Sequence, residues 1–149
     1  MNLPKNILVP TDFSANADAA LDYAVALAGK LDAKVHVLNV VAVQTLGADL
    51  GIAVTQSVVE SVMEGNQKAL ERLVAERASK ASFGPIQLEL GDARTVIDQM
   101  AAKLGADLIV MGTHGRRGVR RLLLGSVAES IARTAPCPVL LLRQSETSS

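Results

Sequence analysis

Residues 107–126 read DLIVMGTHGRRGVRRLLLGS, and the order of events within them decides the fold. Leu108 to Met111 is continuously apolar after one acidic residue, as a strand covered on both faces must be. Gly112 breaks the run, and a loop rich in glycine and arginine continues to Leu124. Gly125-Ser126 then opens a helical stretch that Pro136 stops. Ser126-Val127-Ala128-Glu129 has capping-box spacing, which makes Ser126 the expected N-cap. Strand, glycine loop and helix in that order form half of a βαβ unit.

Working outward, the same grammar recurs. Asp92 is the expected N-cap of a helix whose Ile97, Met100, Ala101 and Leu104 fall at i, i+3, i+4 and i+7, and Gly105 ends it. Near the start, Ile7-Leu8-Val9 is a short buried strand ending at Pro10. Ser14 is the expected cap of the next helix, with Leu21, Ala24, Val25 and Ala28 on one face and Gly29 as its stop. Lys34 to Val41 is the second strand, Ser57 to Ser79 a helix, and Pro85 to Leu90 a short third strand. Residues 42–56 lack a period and read as a loop. Pro138 to Arg143 is the last strand, and Gln144 to Ser149 reads as a tail. The segments Ala28 to Val37 and Ala101 to Val110 echo each other, each a helix end, tight turn and strand start. Strands thus alternate with helices, which predicts one α/β domain over residues 1–143, a parallel sheet with helices on both faces.

Composition narrows the function. The chain of 149 residues has an apolar fraction of 49%, enough to build one core. Phe13, Tyr23 and Phe83 are its only aromatics, which disfavours the base-stacking surfaces of single-strand nucleic-acid readers. Formal net charge is zero, so phosphate-backbone binding gains no global support, and no nucleic-acid partner is expected. Cys137 is the only cysteine; it forms no internal disulfide, and between two prolines it reads as a small apolar filler. The N-terminus lacks the apolar run of about 7–15 residues of a secretory signal. No stretch reaches the roughly 18 apolar residues of a membrane span. The expectation is a cytoplasmic protein without a membrane partner.

In open parallel sheets, ligands sit beyond the carboxyl ends of the strands, where strand order reverses. That rule selects Thr11-Asp12 and the segment from Gly112 to Ser126. Glycines admit close approach of an anion to the backbone, and a helix N-terminus favours phosphate. Two pieces, Gly112/Gly115 and Gly125/Ser126, therefore form a candidate phosphate cradle. Glycines after a strand also simply turn the chain, and Asp12 could simply cap the first helix. Arg116, Arg117, Arg120 and Arg121 read either as a solvated face or, at Arg116, as attraction for phosphate. His114 could reach a phosphate; His36, in the second strand, packs or faces solvent. Two histidines without clustered acids make no metal site. A Walker A loop is absent, as is G-x-G-x-x-G after the first strand.

Gly112-x2-Gly115-x9-Gly125-Ser126 resembles the G-2x-G-9x-G-[ST] motif of the ATP-binding members of the universal stress protein (UspA) family. LLLGSVAES, APCPVLLL and ILVPTDFS are similar to the same family, and the likeness runs from about residue 4 to 143. The resemblance implies a five-stranded parallel sheet of order 3-2-1-4-5, Rossmann-like and akin to the adenine nucleotide alpha hydrolases. It implies ATP, with Mg²⁺ arriving on the triphosphate, held as follows. Asp12 would bind the ribose; Pro10, Thr11 and Val40 or Val41 would border the adenine. Met111 and Gly112 would pass beneath the nucleotide, and Gly115, Arg116, Gly125, Ser126 and Val127 would meet the phosphates. The family's mode of dimerisation implies a homodimer through the strand Val139 to Arg143. No catalytic base stands out, so any ATP hydrolysis is expected to be slow. A stress-response or regulatory nucleotide-binding module is the leading reading. The alternative is a nucleotide-independent interaction protein with a structural glycine loop. A pyrophosphatase-like enzyme fits least, because Thr11-Asp12-Phe13-Ser14 stands where its Ser-Gly-Gly-x-Asp-Ser loop belongs.

Overall fold

The computed structural model describes residues 2–43, 46–47, 51, 53–114 and 124–143. Six strands and four long helices alternate in it: β1 (Asn6–Pro10), α1 (Ala15–Leu31), β2 (Lys34–Val41), α2 (Gln56–Ala75), β3 (Ser82–Phe83), β4 (Gln87–Leu90), α3 (Ala93–Leu104), β5 (Leu108–Gly112), α4 (Ser126–Thr134) and β6 (Val139–Leu142). All pairings are parallel, in the order β3-β2-β1-β5-β6, with β4 also on β2. The expected architecture and strand order stand, but the count is six. β3 pairs Lys34 and Val35, and β4 pairs Leu38 to Val41, on the same side of β2. They are two pieces of one edge strand. Gly84 still donates to the Val35 carbonyl, at 2.9 Å, but Pro85 has no N–H, and the ladder lapses there.

Alternation along the central strands sorts the core into two layers. Ile7, Val9, Val35, Val37 and Val110 meet Leu21, Ala24, Val25 and Ala28 of α1 and Leu70 of α2. Leu8, Leu38, Ile109 and Met111 meet Ile97 and Met100 of α3 and Ile131 of α4 on the opposite face. Ile7, Leu8 and Val9 are fully buried, which is why β1 has no polar alternation. Burying each such side chain contributes about 1.5–3 kcal/mol.

Local signals explain most boundaries. Ser14, Thr55 and Asp92 accept hydrogen bonds from the first turns of α1, α2 and α3. α1 runs past Gly29, its expected stop, to Leu31; Asp32 adopts φ 55° there and ends the helix. α2 ends at Ala75, short of the expected Ser79, in turns whose Arg77 guanidinium reaches Asp22 of α1 at 2.7 Å. His36 packs instead of facing solvent. It is buried, with Nε2 3.1 Å from Asn6 Oδ1, and burial followed by nearby Lys34 lowers its pKa. Residues 144–149, the expected tail, lie outside the described residues.

Candidate functional site

Where β1 leaves the sheet, the chain makes a turn held by a run of hydrogen bonds. Thr11 is buried, and its N–H still donates to Leu38 O at 2.8 Å, one residue beyond β1. Its hydroxyl accepts from Phe13 N at 3.0 Å, and Asp12 Oδ1 accepts from Ser14 N at 3.0 Å. Ser14 Oγ then takes Ala17 N at 3.1 Å and starts α1. Between them Phe13 has φ 66°, a left-handed conformation that costs a residue with a β-carbon roughly 1–3 kcal/mol. The two side-chain turns at Thr11 and Asp12 hold the backbone in that conformation. Asp12 stands half-buried at the apex.

Beyond β5 the glycine segments approach the same place. Asn16, in the first turn of α1, lies across Gly112 and donates from Nδ2 to the His114 carbonyl. A β-carbon on Gly112 would sit 2.3 Å from that nitrogen. Thr113 N donates to Leu142 O at 3.0 Å, and Gly125 N donates to Thr113 O at 2.8 Å. A β-carbon on Gly125 would also fall 2.8 Å from Thr113 O. At both glycines the close approach is made by the chain itself. It brings the start of α4 against Thr113 and His114 across the intervening loop. Gly125, not Ser126, is the N-cap of α4 and offers no side chain, so the capping box is not formed. Ser126 is the first helical residue and is exposed, while Glu129 pairs with Arg133 at 2.7 Å. α4 alone of the four helices begins without a side-chain cap. His114 Nδ1 lies 3.1 Å from Thr113 Oγ1, and its Nε2 is buried without a partner among the described residues.

The other expected site residues flank these two turns. Pro10 closes β1; Val41 and Met111 are buried, and Val40 and Val127 are half-buried against the same core layer as Met111. Val41 pairs Leu90, and Gly91 N donates to Val41 O at 3.0 Å as the last rung of that edge. A cavity of about 270 Å³ opens just beyond, lined by Val43, Leu90, Gly91 and Asp92. Gly115 and Arg116 lie outside the described residues, as do Arg117, Arg120 and Arg121.

The universal stress protein family model matches residues 4–143. This chain belongs to the universal stress protein family. A putative universal stress protein of Staphylococcus haemolyticus is 36% identical over 148 residues, covering 95% of this chain and 86% of the relative. Among solved structures, hypothetical protein MJ0577 matches with a TM-score of 0.84 at 26% identity, over 96% of this chain and 98% of that one. Two more distant structures share the fold. A universal stress protein in complex with cAMP has a TM-score of 0.66 at 22% identity, over 97% of this chain and 100% of that one. An Arabidopsis thaliana member with AMP bound has a TM-score of 0.65 at 16% identity, over 97% and 95%.

Burial shifts two further groups of this universal stress protein, Asp18 at the carboxyl end of the sheet and Cys137 at the amino end. Asp18, in the first turn of α1, has a buried Oδ1 without a partner among the described residues. Burial raises its pKa above the usual 3.8; Arg77 pulls it down, while Asp22, Glu76 and Asp12 add to the rise. Cys137 is half-buried, and burial, then Asp107 and Asp98, push its thiol pKa up, as suits a filler rather than a nucleophile. No group of three His, Cys, Asp or Glu among the described residues could hold a metal ion. No described helix is long and apolar enough to cross a membrane. Two residues escaped the sequence reading: Asn16, which ties the halves of the site, and buried Asn39, which donates to Thr11 O at 2.8 Å. Their partners lie 98 and 28 positions away, so no local pattern announces them.

Proposed function

We propose that this universal stress protein binds ATP at the carboxyl end of its sheet and works as a regulatory, stress-response module. Nucleotide occupancy, not fast chemistry, would set its state. The observation that carries this reading is the meeting of two unlike pieces. The turn bearing Asp12 and the uncapped start of α4 converge beside His114, joined through Asn16. Free N–H groups at a helix start suit phosphate, and a carboxylate at the neighbouring turn suits ribose hydroxyls. Gly115 and Arg116 would complete the phosphate side. Val40 or Val41, at the end of β2, would border the base. Relatives holding AMP and cAMP support an adenine nucleotide as the ligand class. Mg²⁺ would come with the triphosphate, whose oxygens supply most of its ligands. The motif carries no strong catalytic base, so hydrolysis would be slow, roughly 10⁻⁴ to 10⁻² per second as in unassisted nucleotide switches. We place the protein in the cytoplasm as a homodimer through β6. That strand is paired only to β5 among the described residues, and its four residues are half-buried and apolar, an edge suited to a second copy.

A second reading has one observation in its favour. Gly112 and Gly125 already have a use inside the chain, so a structural glycine loop serving a nucleotide-independent interaction protein would look the same there. Calorimetry with ATP, ADP, AMP and cAMP separates the two. The first reading expects ATP binding that Asp12→Ala weakens about 10- to 100-fold, the worth of one or two hydrogen bonds to a charged group. Absence of heat with every nucleotide, and of nucleotide extracted from the purified protein, would favour the second.

A further inference from the structure

We propose that Asn39, anchored by Asn66, is the positioning residue for the turn that carries Asp12, and so governs the grip on the ribose; this rests on the nucleotide reading above. β2 is otherwise an apolar strand at its buried positions, apart from His36 nearer its start. Asn39 is 4% exposed, and a buried carboxamide is tolerated only when its donors and acceptor find partners. Asn39 Nδ2 donates to Thr11 O at 2.8 Å, and its Oδ1 accepts from Asn66 Nδ2 at 2.9 Å.

The place where that first bond falls matters. Thr11 N is already bonded to Leu38 O, while the Thr11 carbonyl stands where β1 has ended. Asn39 supplies it with a donor. Thr11 is thereby pinned on both its N–H and its C=O to consecutive residues of β2. The next residue is Asp12, and the one after is the left-handed Phe13. A turn in that conformation keeps its shape only while its surroundings hold it. Asp12 follows Thr11 directly, and its Oδ1 accepts from Ser14 N across the left-handed Phe13, so the carboxylate keeps its place only while the turn from Thr11 to Ser14 keeps its shape.

Asn66 anchors the other end of Asn39. A carboxamide is nearly symmetric in shape, and a flipped Asn39 would set Oδ1 against the Thr11 carbonyl. The Thr11 carbonyl only accepts, so it keeps the Asn39 amide nitrogen facing it, and the Asn66 amide donates to the oxygen left over. A half-buried residue of α2, a helix that supplies none of the expected ligand contacts, thus bears on the ribose subsite.

The test compares the wild-type chain with Asn39→Ala and Asn66→Ala. ATP and 2′,3′-dideoxy-ATP are titrated by calorimetry, and amide exchange at Phe13 and Ser14 is followed by NMR. We expect N39A to lose protection at both amides and to bind ATP about tenfold more weakly, with N66A about threefold weaker. The dideoxy nucleotide should bind all three proteins alike, because the ribose hydroxyls alone report on Asp12. Equal losses for both nucleotides, or ATP affinity unchanged in N39A, would overturn the proposal by reducing Asn39 to a fold residue. If wild-type protein binds neither nucleotide, the functional reading has failed, and amide exchange alone decides positioning. Retained protection in N39A then sinks it, and lost protection upholds it. Should N39A not fold, N66A carries the same comparison, and equal ATP affinity in N66A and wild type counts against the proposal.

Discussion

The two ends of the sheet solve the same problem differently. At the amino end, the turns from α1 to β2 and from α3 to β5 are nearly interchangeable. Each has one left-handed residue, Asp32 at φ 55° and Gly105 at φ 63°. Each closes with the same bond across the helix end, Ala33 N to Ala28 O and Ala106 N to Ala101 O, both 2.9 Å. Each then enters its strand through a β1-side carbonyl, Lys34 N to Lys5 O at 2.8 Å and Asp107 N to Asn6 O at 2.9 Å. At the carboxyl end, the segments after β1 and β5 share nothing of this kind. One is a strained turn with side-chain bonds, the other a pair of glycines pressed against neighbouring segments, and each depends on the other through Asn16. A chain that only has to reverse repeats the low-energy solution. Departures from it gather at the proposed nucleotide site.

That contrast can be broken first at Gly112. Gly112→Val should displace Asn16 and cost about 1–3 kcal/mol in urea unfolding, the usual cost of overpacking. In an Asn16→Ala background much of that loss should disappear, and strictly additive losses would show that Asn16 is not what Gly112 accommodates. The amino end sharpens the comparison. Gly105→Ala should cost about 1 kcal/mol through its left-handed φ, yet leave ATP affinity within about twofold of wild type. A large loss of binding there would erase the distinction between the ends. The smallest effect is expected at Asp18. Its folded pKa is raised above 3.8, so the folded state holds its proton more tightly than the unfolded chain. The associated stability is full below 3.8 and lost as pH rises through the folded value. Asp18→Asn should therefore stabilise the protein at pH 7 and give no gain at pH 3.5. A gain of equal size at both pH values would exclude the carboxylate as its source.

Much of the frame was legible because its signals are local. Ser14 and Asp92 cap their helices as read, Gly105 stops α3, and the apolar runs of β1 and β5 lie covered on both faces. Errors arose where a residue's local meaning was overruled by what packs on it. Gly29 looks like a stop, but the helix continues until Asp32 takes the left-handed conformation itself. Ser126 looks like a cap, but Gly125 fits against Thr113 O and takes that position. The sequence shows only the part of this edge after Pro85, because the two-residue β3 before Gly84-Pro85 carries no periodic signal. The family motif names the segments of the candidate site, but not the side chains that hold them. Asn16 and Asn39 act on backbone carbonyls distant in sequence, and a lone asparagine in a helix or a strand says nothing of its partner.

The most direct measurement is a titration of the labelled protein with Mg²⁺ and ATP, read by amide chemical shifts. Convergence of the two carboxyl-end segments on one nucleotide predicts coupled, saturable shifts at Thr11 to Ser14 and at Thr113, His114, Gly125 and Ser126. Asp32, Ala33, Gly105 and Ala106 should stay still. Shifts confined to one segment, shifts centred on the amino-end turns, or a spectrum unmoved by excess ATP would contradict it.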